Sequence, residues 1–183
     1  MILHGNRFWT LATAVLALVA ALVILISAGL PERGQFTGQL LADGSVSAPE
    51  LNSVAPNFSL TTLEGTTITL DSLRGGPVLI NFWATWCEPC RVEMPYLQEF
   101  YEAHQSSGLR VLAVNLGETP DIIRTWVDDF GLTFDILLDP QQSLAVLYQI
   151  RGQPSTFAIS PDGIINAIYY GPVSVEQLQA VLP

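Results

Sequence analysis

The chain has 183 residues, 49% of them apolar, and a net charge of −10 from 17 acids against seven arginines and no lysine. That length fits one domain with appendages. So negative a surface argues against nucleic acid and against anionic lipid headgroups as partners.

The first element is the run Phe8–Leu30, 23 residues without a charge. As a helix it would measure roughly 35 Å, enough to cross a hydrocarbon core of about 30 Å. It also exceeds the apolar core of a cleaved signal peptide, usually about 7–15 residues. Residues 8–30 are therefore expected to be an uncleaved transmembrane signal anchor; the alternative is cleavage near Ser27-Ala28-Gly29. No cysteine stands at the end of the run, which excludes a lipoprotein anchor. Arg7 precedes it without any acid, while Glu32, Asp43 and Glu50 follow. Residues 1–7 are then expected in the cytoplasm and the rest outside it, at the cell membrane. Residues 31–53 are rich in Gly, Ser, Pro and Ala without periodicity and read as a flexible linker.

Folded texture is expected over 54–183. Phe58-Ser59-Leu60 and Thr66–Leu70 alternate around Glu64-Gly65, as in a β-hairpin. Asp71–Gly75 reads as a short turn. The run Pro77–Trp83 is almost wholly apolar, as in a buried central strand. From Glu88 to about Ser106 the period becomes helical: Met94, Leu97 and Tyr101 share a face that Tyr96 and Phe100 widen. Leu109–Leu116 is a second apolar strand. Thr119-Pro120 signals a helix start, with Ile122, Ile123, Trp126, Val127 and Phe130 on one face and Gly131 at its end. Phe134–Leu138 is a short strand. Asp139-Pro140-Gln141-Gln142 reads as another cap with a capping box, ahead of Leu144, Leu147 and Tyr148. Strands follow at 155–160 and 164–170, then a helix capped by Ser174 and Gln177 that carries Leu178, Val181 and Leu182. Strands alternating with helices imply an α/β sandwich, and the closing hairpin makes its sheet mixed.

The chemistry lies in Cys87-Glu88-Pro89-Cys90, where the central strand gives way to the helix. A thiol at that junction meets unpaired N–H groups and the positive end of the helix dipole, which favour thiolate. Cys87 is the expected nucleophile, and Cys90, one turn on, the thiol that resolves the mixed disulfide. An inert structural bridge is the bland alternative, but closing so short a loop stabilises little. Zinc needs about four ligands, and the chain adds only His4 and His104 to its two cysteines. His104 lies 17 residues beyond Cys87, too far to act as base, and reads as a solvated helix residue. Glu88 adds negative charge beside the thiolate, and Pro89 removes an N–H donor. Both weaken thiolate stabilisation and tune the pair towards a reductant.

The W-C-x-P-C motif with Pro95 beyond it resembles the thioredoxin superfamily. The longer string from Asn81 to Arg91, with Glu93, Pro95 and Tyr96, resembles the membrane-anchored ResA/TlpA-like thiol-disulfide oxidoreductases, over roughly Ala55–Leu182. The resemblance implies a thioredoxin-like fold with an N-terminal hairpin and an insertion at 119–138. It implies no cofactor beyond the redox-active Cys87–Cys90 disulfide. Pro154 matches the cis-proline that faces the cysteines, with Gln153 presenting its backbone to the partner. Trp86 is expected exposed beside the thiols and in contact with the partner, and Trp83 in the core. Asn81 stands where thioredoxin has a buried Asp. Glu118 matches a glutamate beside the cysteines, read as proton donor or acceptor. Such relatives reduce disulfides of extracytoplasmic proteins, apocytochrome c included, and are recharged by a membrane electron carrier. Two rivals share the fold. A peroxiredoxin-type peroxidase would want Thr where Ala84 stands. A copper-delivery protein would want C-x-x-x-C and a distant His.

Overall fold

The computed structural model describes residues 13–20 and 38–180. Residues 13–20 are helical. The remainder of the expected anchor, the tail 1–7, residues 31–37 and the final Val181 and Leu182 lie outside the described residues. Among the described residues, no helix is long and apolar enough to cross a membrane.

From Gly38 onward the chain forms one unit built on a five-stranded mixed sheet. Its strands are β5 (Val78–Trp83), β6 (Arg110–Leu116), β7 (Asp135–Asp139), β8 (Ser155–Ile159) and β9 (Ile165–Tyr170), in the order β7-β6-β5-β8-β9. β5 runs parallel to β6, and β6 to β7, while β8 is antiparallel to both β5 and β9. The apolar run predicted to be central is central, and all six residues of β5 are buried.

Alternation along the strands divides the core. Leu79, Trp83, Val111 and Ala113 point to one face, where helices α1 (Glu88–His104), α2 (Pro120–Phe130) and α4 (Val175–Gln179) supply Met94, Leu97, Ile123 and Leu178. Ile80, Phe82, Leu112 and Val114 point to the other, against Leu144 and Ala145 of α3 (Ser143–Leu147), Tyr148 and Leu70. Each large side chain so buried contributes roughly 1.5–3 kcal/mol. The predicted α1 face holds at Met94, Leu97 and Phe100, but Tyr96 is half exposed and stands outside it.

The hairpin β3 (Ser59–Thr61) and β4 (Thr67–Thr69) forms where alternation predicts it. The Leu63 N–H donates to the Ile136 carbonyl at 2.8 Å, so the hairpin's turn covers the edge strand β7. The short turn after it is a 3₁₀ helix, Leu70–Leu73.

Two expectations change. Residues 38–53 are not a free linker: β1 (Gln39–Leu40) pairs with β2 (Val46–Ser47), and Ala48 and Pro49 are buried. Asn52 N–H donates to the Ile165 carbonyl at 2.8 Å, and Ile165 N–H donates to the Ser53 carbonyl at 3.0 Å. These backbone bonds to the free edge of β9 require no side-chain pattern, which is why composition alone suggested a tether. The second change is the start of α3. Gln142, not Asp139, occupies its N-cap, in a left-handed conformation and without a side-chain bond, so no capping box forms. Asp139 still serves that end from further back, its carboxylate accepting from Leu144 N–H at 2.9 Å and Ala145 N–H at 3.0 Å. At α2, Thr119 is the N-cap by position but makes no side-chain capping bond. Ser174 and Gln177 do form the predicted box at α4.

Candidate active site

β5 ends at Trp83, and four residues later Cys87 is the N-cap of α1, extended in its backbone. Cys87 and Cys90 are joined as a disulfide, their Cα atoms 5.3 Å apart. Cys87 Sγ accepts the Cys90 N–H at 3.2 Å, so on reduction a thiolate there would keep that donor and the helix's positive end. Cys90 has no exposure and Cys87 4%, so of the two residues only Cys87 meets solvent at all. Glu88 and Pro89 are exposed in the first turn, and Trp86, at 68%, is the most exposed aromatic of the loop.

Glu118 leaves β6 at the same end of the sheet. Its carboxylate accepts from Thr85 N–H at 2.7 Å, Thr85 Oγ1 at 2.5 Å and Asn115 Nδ2 at 2.7 Å. It thereby ties down the loop that presents Trp86 and Cys87. Hydrogen bonds to charged groups contribute roughly 1.5–3 kcal/mol each, net. Glu118→Ala is therefore expected to cost the oxidised protein about 2 kcal/mol or more, read as a lower urea midpoint at unchanged slope. A midpoint equal to wild type would mean that the carboxylate does not hold the loop.

The antiparallel register pairs Phe82 with Ser155, the first residue of β8, so Pro154, just before that strand, stands level with the close of β5. The Gln153–Pro154 peptide bond is cis, as the resemblance implied; Pro154 is buried and Gln153 half-buried. Trp83 is fully buried. Its ring lies 4.6 Å from that of Trp126, which stacks on Phe130 at 4.1 Å, with the Arg91 guanidinium 5.4 Å from the Phe130 ring centre. This aromatic seam joins α2 to β5 and, through Arg91, to α1. His104 is not a solvated residue: it is half-buried, its Nδ1 2.8 Å from the Phe100 carbonyl and its ring against that of Phe100.

One further group lies outside the C-x-x-C motif. Glu93, one turn past Cys90 on the same helix face, is 2% exposed. It accepts from Asn81 Nδ2 at 2.7 Å and Val173 N–H at 3.2 Å, and Asn81 Nδ2 also reaches Thr156 Oγ1 at 2.9 Å. Burial pushes its carboxyl up to about 7, against the opposing pull of those two donors. The signal was available: a glutamate between Cys90 and Met94 falls on the apolar face of an amphipathic helix.

A central strand leading into a helix capped by one cysteine and carrying the other defines a thioredoxin-like protein built for thiol–disulfide exchange. The comparisons agree. The AhpC/TSA family model matches residues 51–168. Thiol-disulfide oxidoreductase ResA of Oceanobacillus iheyensis is 32% identical over 181 residues, covering 97% of this chain and 88% of its own. The ResA of Geobacillus thermodenitrificans is 39% identical over 132 residues, covering 72% and 76%. Among solved structures, StoA from Bacillus subtilis matches with a TM-score of 0.61 at 32% identity, covering 69% of this chain and 96% of StoA. A thiol:disulfide interchange protein of the thioredoxin family from Chlorobium tepidum gives 0.65 at 25% identity, covering 73% and 95%. The chain belongs to the AhpC/TSA family and is a thiol-disulfide oxidoreductase.

Proposed function

We propose that the protein is held at the cell membrane by residues 8–30 and reduces disulfides of partner proteins outside the cytoplasm, apocytochrome c among them. The observation that carries the order of events is the asymmetry of the pair: Cys87 at the helix N-terminus, Cys90 wholly buried behind it. Cys87 thiolate attacks one sulfur of the partner's disulfide. That S–S bond breaks, the partner's other sulfur leaves as thiolate and takes up a proton, and a mixed disulfide remains. Cys90 then loses its proton and attacks Cys87 Sγ, forming the Cys87–Cys90 disulfide and releasing the partner's second thiolate. Two electrons have passed to the partner, and a membrane electron carrier returns two to the protein.

Trp86, Gln153 and Pro154 form the partner-binding rim, and Glu118 acts on the thiols through the loop it holds. Glu88 places a negative charge beside the thiolate and Pro89 withholds an N–H, which sets the pair towards reduction. A peroxidase reading finds no hydroxyl at Ala84, which is buried three residues before Cys87. The external location is supported by the charge-free run and by Arg7 before it. After reduction of intact cells, a membrane-impermeant maleimide is expected to label Cys87, with the labelled protein recovered in the membrane fraction. Labelling only after lysis, or recovery of the protein as a soluble species, would overturn the topology.

A further inference from the structure

The described arginines are almost all engaged. Arg74 pairs with Asp71 at 3.1 Å, Arg110 with Asp135 at 2.5 Å, and Arg124 donates to the Leu63 carbonyl at 2.9 Å. Arg91 lies over Phe130. Among the described residues Arg151 is the one arginine with no hydrogen bond, ion pair or ring contact, and it is exposed. It stands two residues before Gln153, on the wall of a cavity of about 600 Å³. Gln153 and Pro154 line the same cavity, as do Tyr170, 70% exposed, and Glu50 from the segment docked on β9. Glu50 makes no ion pair with Arg151, so the cavity presents one charge of each sign.

We propose that this cavity is the subsite that reads the partner's chain beside its reactive disulfide, and that Arg151 selects an acidic side chain there. The proposal rests on the reading of Gln153 and Pro154 as the rim where a protein partner docks. A cavity of that size holds several side chains, and it opens directly beside that rim. A guanidinium is a planar fork matched to a carboxylate, and an exposed one without a partner is free to make that pair. On a surface of net charge −10, it gives a partner's acid a local cation that the general field denies it. Tyr170 offers a rigid amphipathic wall of the kind enriched at interfaces. Glu50 disfavours a second acid, so the favoured segment carries one acid near its cysteine and neutral or basic residues around it.

The test uses the reduced full-length protein and short peptides closed by one disulfide, with Glu, Gln or Lys placed singly at each flanking position. At one position wild type is expected to prefer Glu over Lys by about fivefold to tenfold in kcat/KM, less in high salt. Because the preference is a ratio within one variant, changes in intrinsic thiol reactivity cancel. Arg151→Ala should abolish the preference, bringing the ratio to one or below, Arg151→Glu should favour Lys more strongly still, and Glu50→Gln should raise the rate with a second Glu in the peptide. If wild type reduces all peptides alike, or if the preference for Glu survives in Arg151→Glu, the subsite is wrong while exchange with protein disulfides stands. If wild type reduces no peptide, the docking reading fails and takes the subsite with it.

Discussion

Cys90→Ser is expected to lose essentially all catalytic turnover and to remain covalently joined to its partner. In that variant Cys87 still attacks, but no second thiol remains in the chain to release what it has caught. The complex should survive denaturation and dissolve on reduction. Cys87→Ser should trap little, because the remaining sulfur at position 90 is fully buried and a partner's disulfide would have to displace the first turn of α1 to reach it. Mass spectrometry of the trapped species identifies the substrate: apocytochrome c would support the proposed role, and a range of secreted proteins would define a broader reductase. If Cys90 proves the better trap, the assignment of the attacking thiol is reversed.

The second large effect is a loss of stability with rising pH that belongs to Glu93. Its carboxyl, ordinarily near 4.5, is pushed up to about 7 in the fold. Between those values the folded protein keeps a proton that the unfolded chain has released. Stability from this group is thus complete below pH 4.5 and falls as pH rises, levelling off above about 7. The size is on the order of 3 kcal/mol. Glu93→Gln, which imitates the protonated form, should remove that slope and gain on wild type as pH increases. The side-chain oxygen of Asn81 has no hydrogen-bond partner; turned over, that amide would accept from a protonated Glu93 or from a glutamine's NH₂. Urea midpoints of the oxidised proteins from pH 4.5 to 8 provide the check, and parallel curves for the two would show that Glu93 is not the group responsible.

Much of this architecture was legible because strong periodicity and chain punctuation coincide. The run Val78–Trp83 could only be an interior strand, and Ser174 with Gln177 announced α4 by a local bond pair that the fold keeps. The cysteines declared themselves by standing where those two kinds of pattern meet. What escaped were features written in backbone bonds or in context. Residues 38–53 dock through main-chain groups on Ile165, for which sequence has no letter. Asp139 reaches the start of α3 from four residues before its first residue, because Pro140–Gln142 turn sharply enough to bring it back. Glu93 looked like one more acid in a chain of 17 until its place on a buried face gave it a shifted proton. Glu118 holds the cysteine loop through Thr85 and is itself held by Asn115, contacts that no helical or strand period announces.

The seam of Trp83, Trp126 and Phe130 also gives the molecule an optical signature. Two indoles held 4.6 Å apart at 36° form a chiral chromophore, and near-ultraviolet dichroism of that kind persists only while side chains keep fixed packing. Because one indole belongs to the central strand and the other to α2, the signal reports their contact and not helix content. Trp86, exposed and next in sequence to Cys87, has no ring partner among the described residues and stands outside this pair. Near-ultraviolet dichroism thus follows one event within the domain, the loss of contact between α2 and the central strand, apart from any change in helix content.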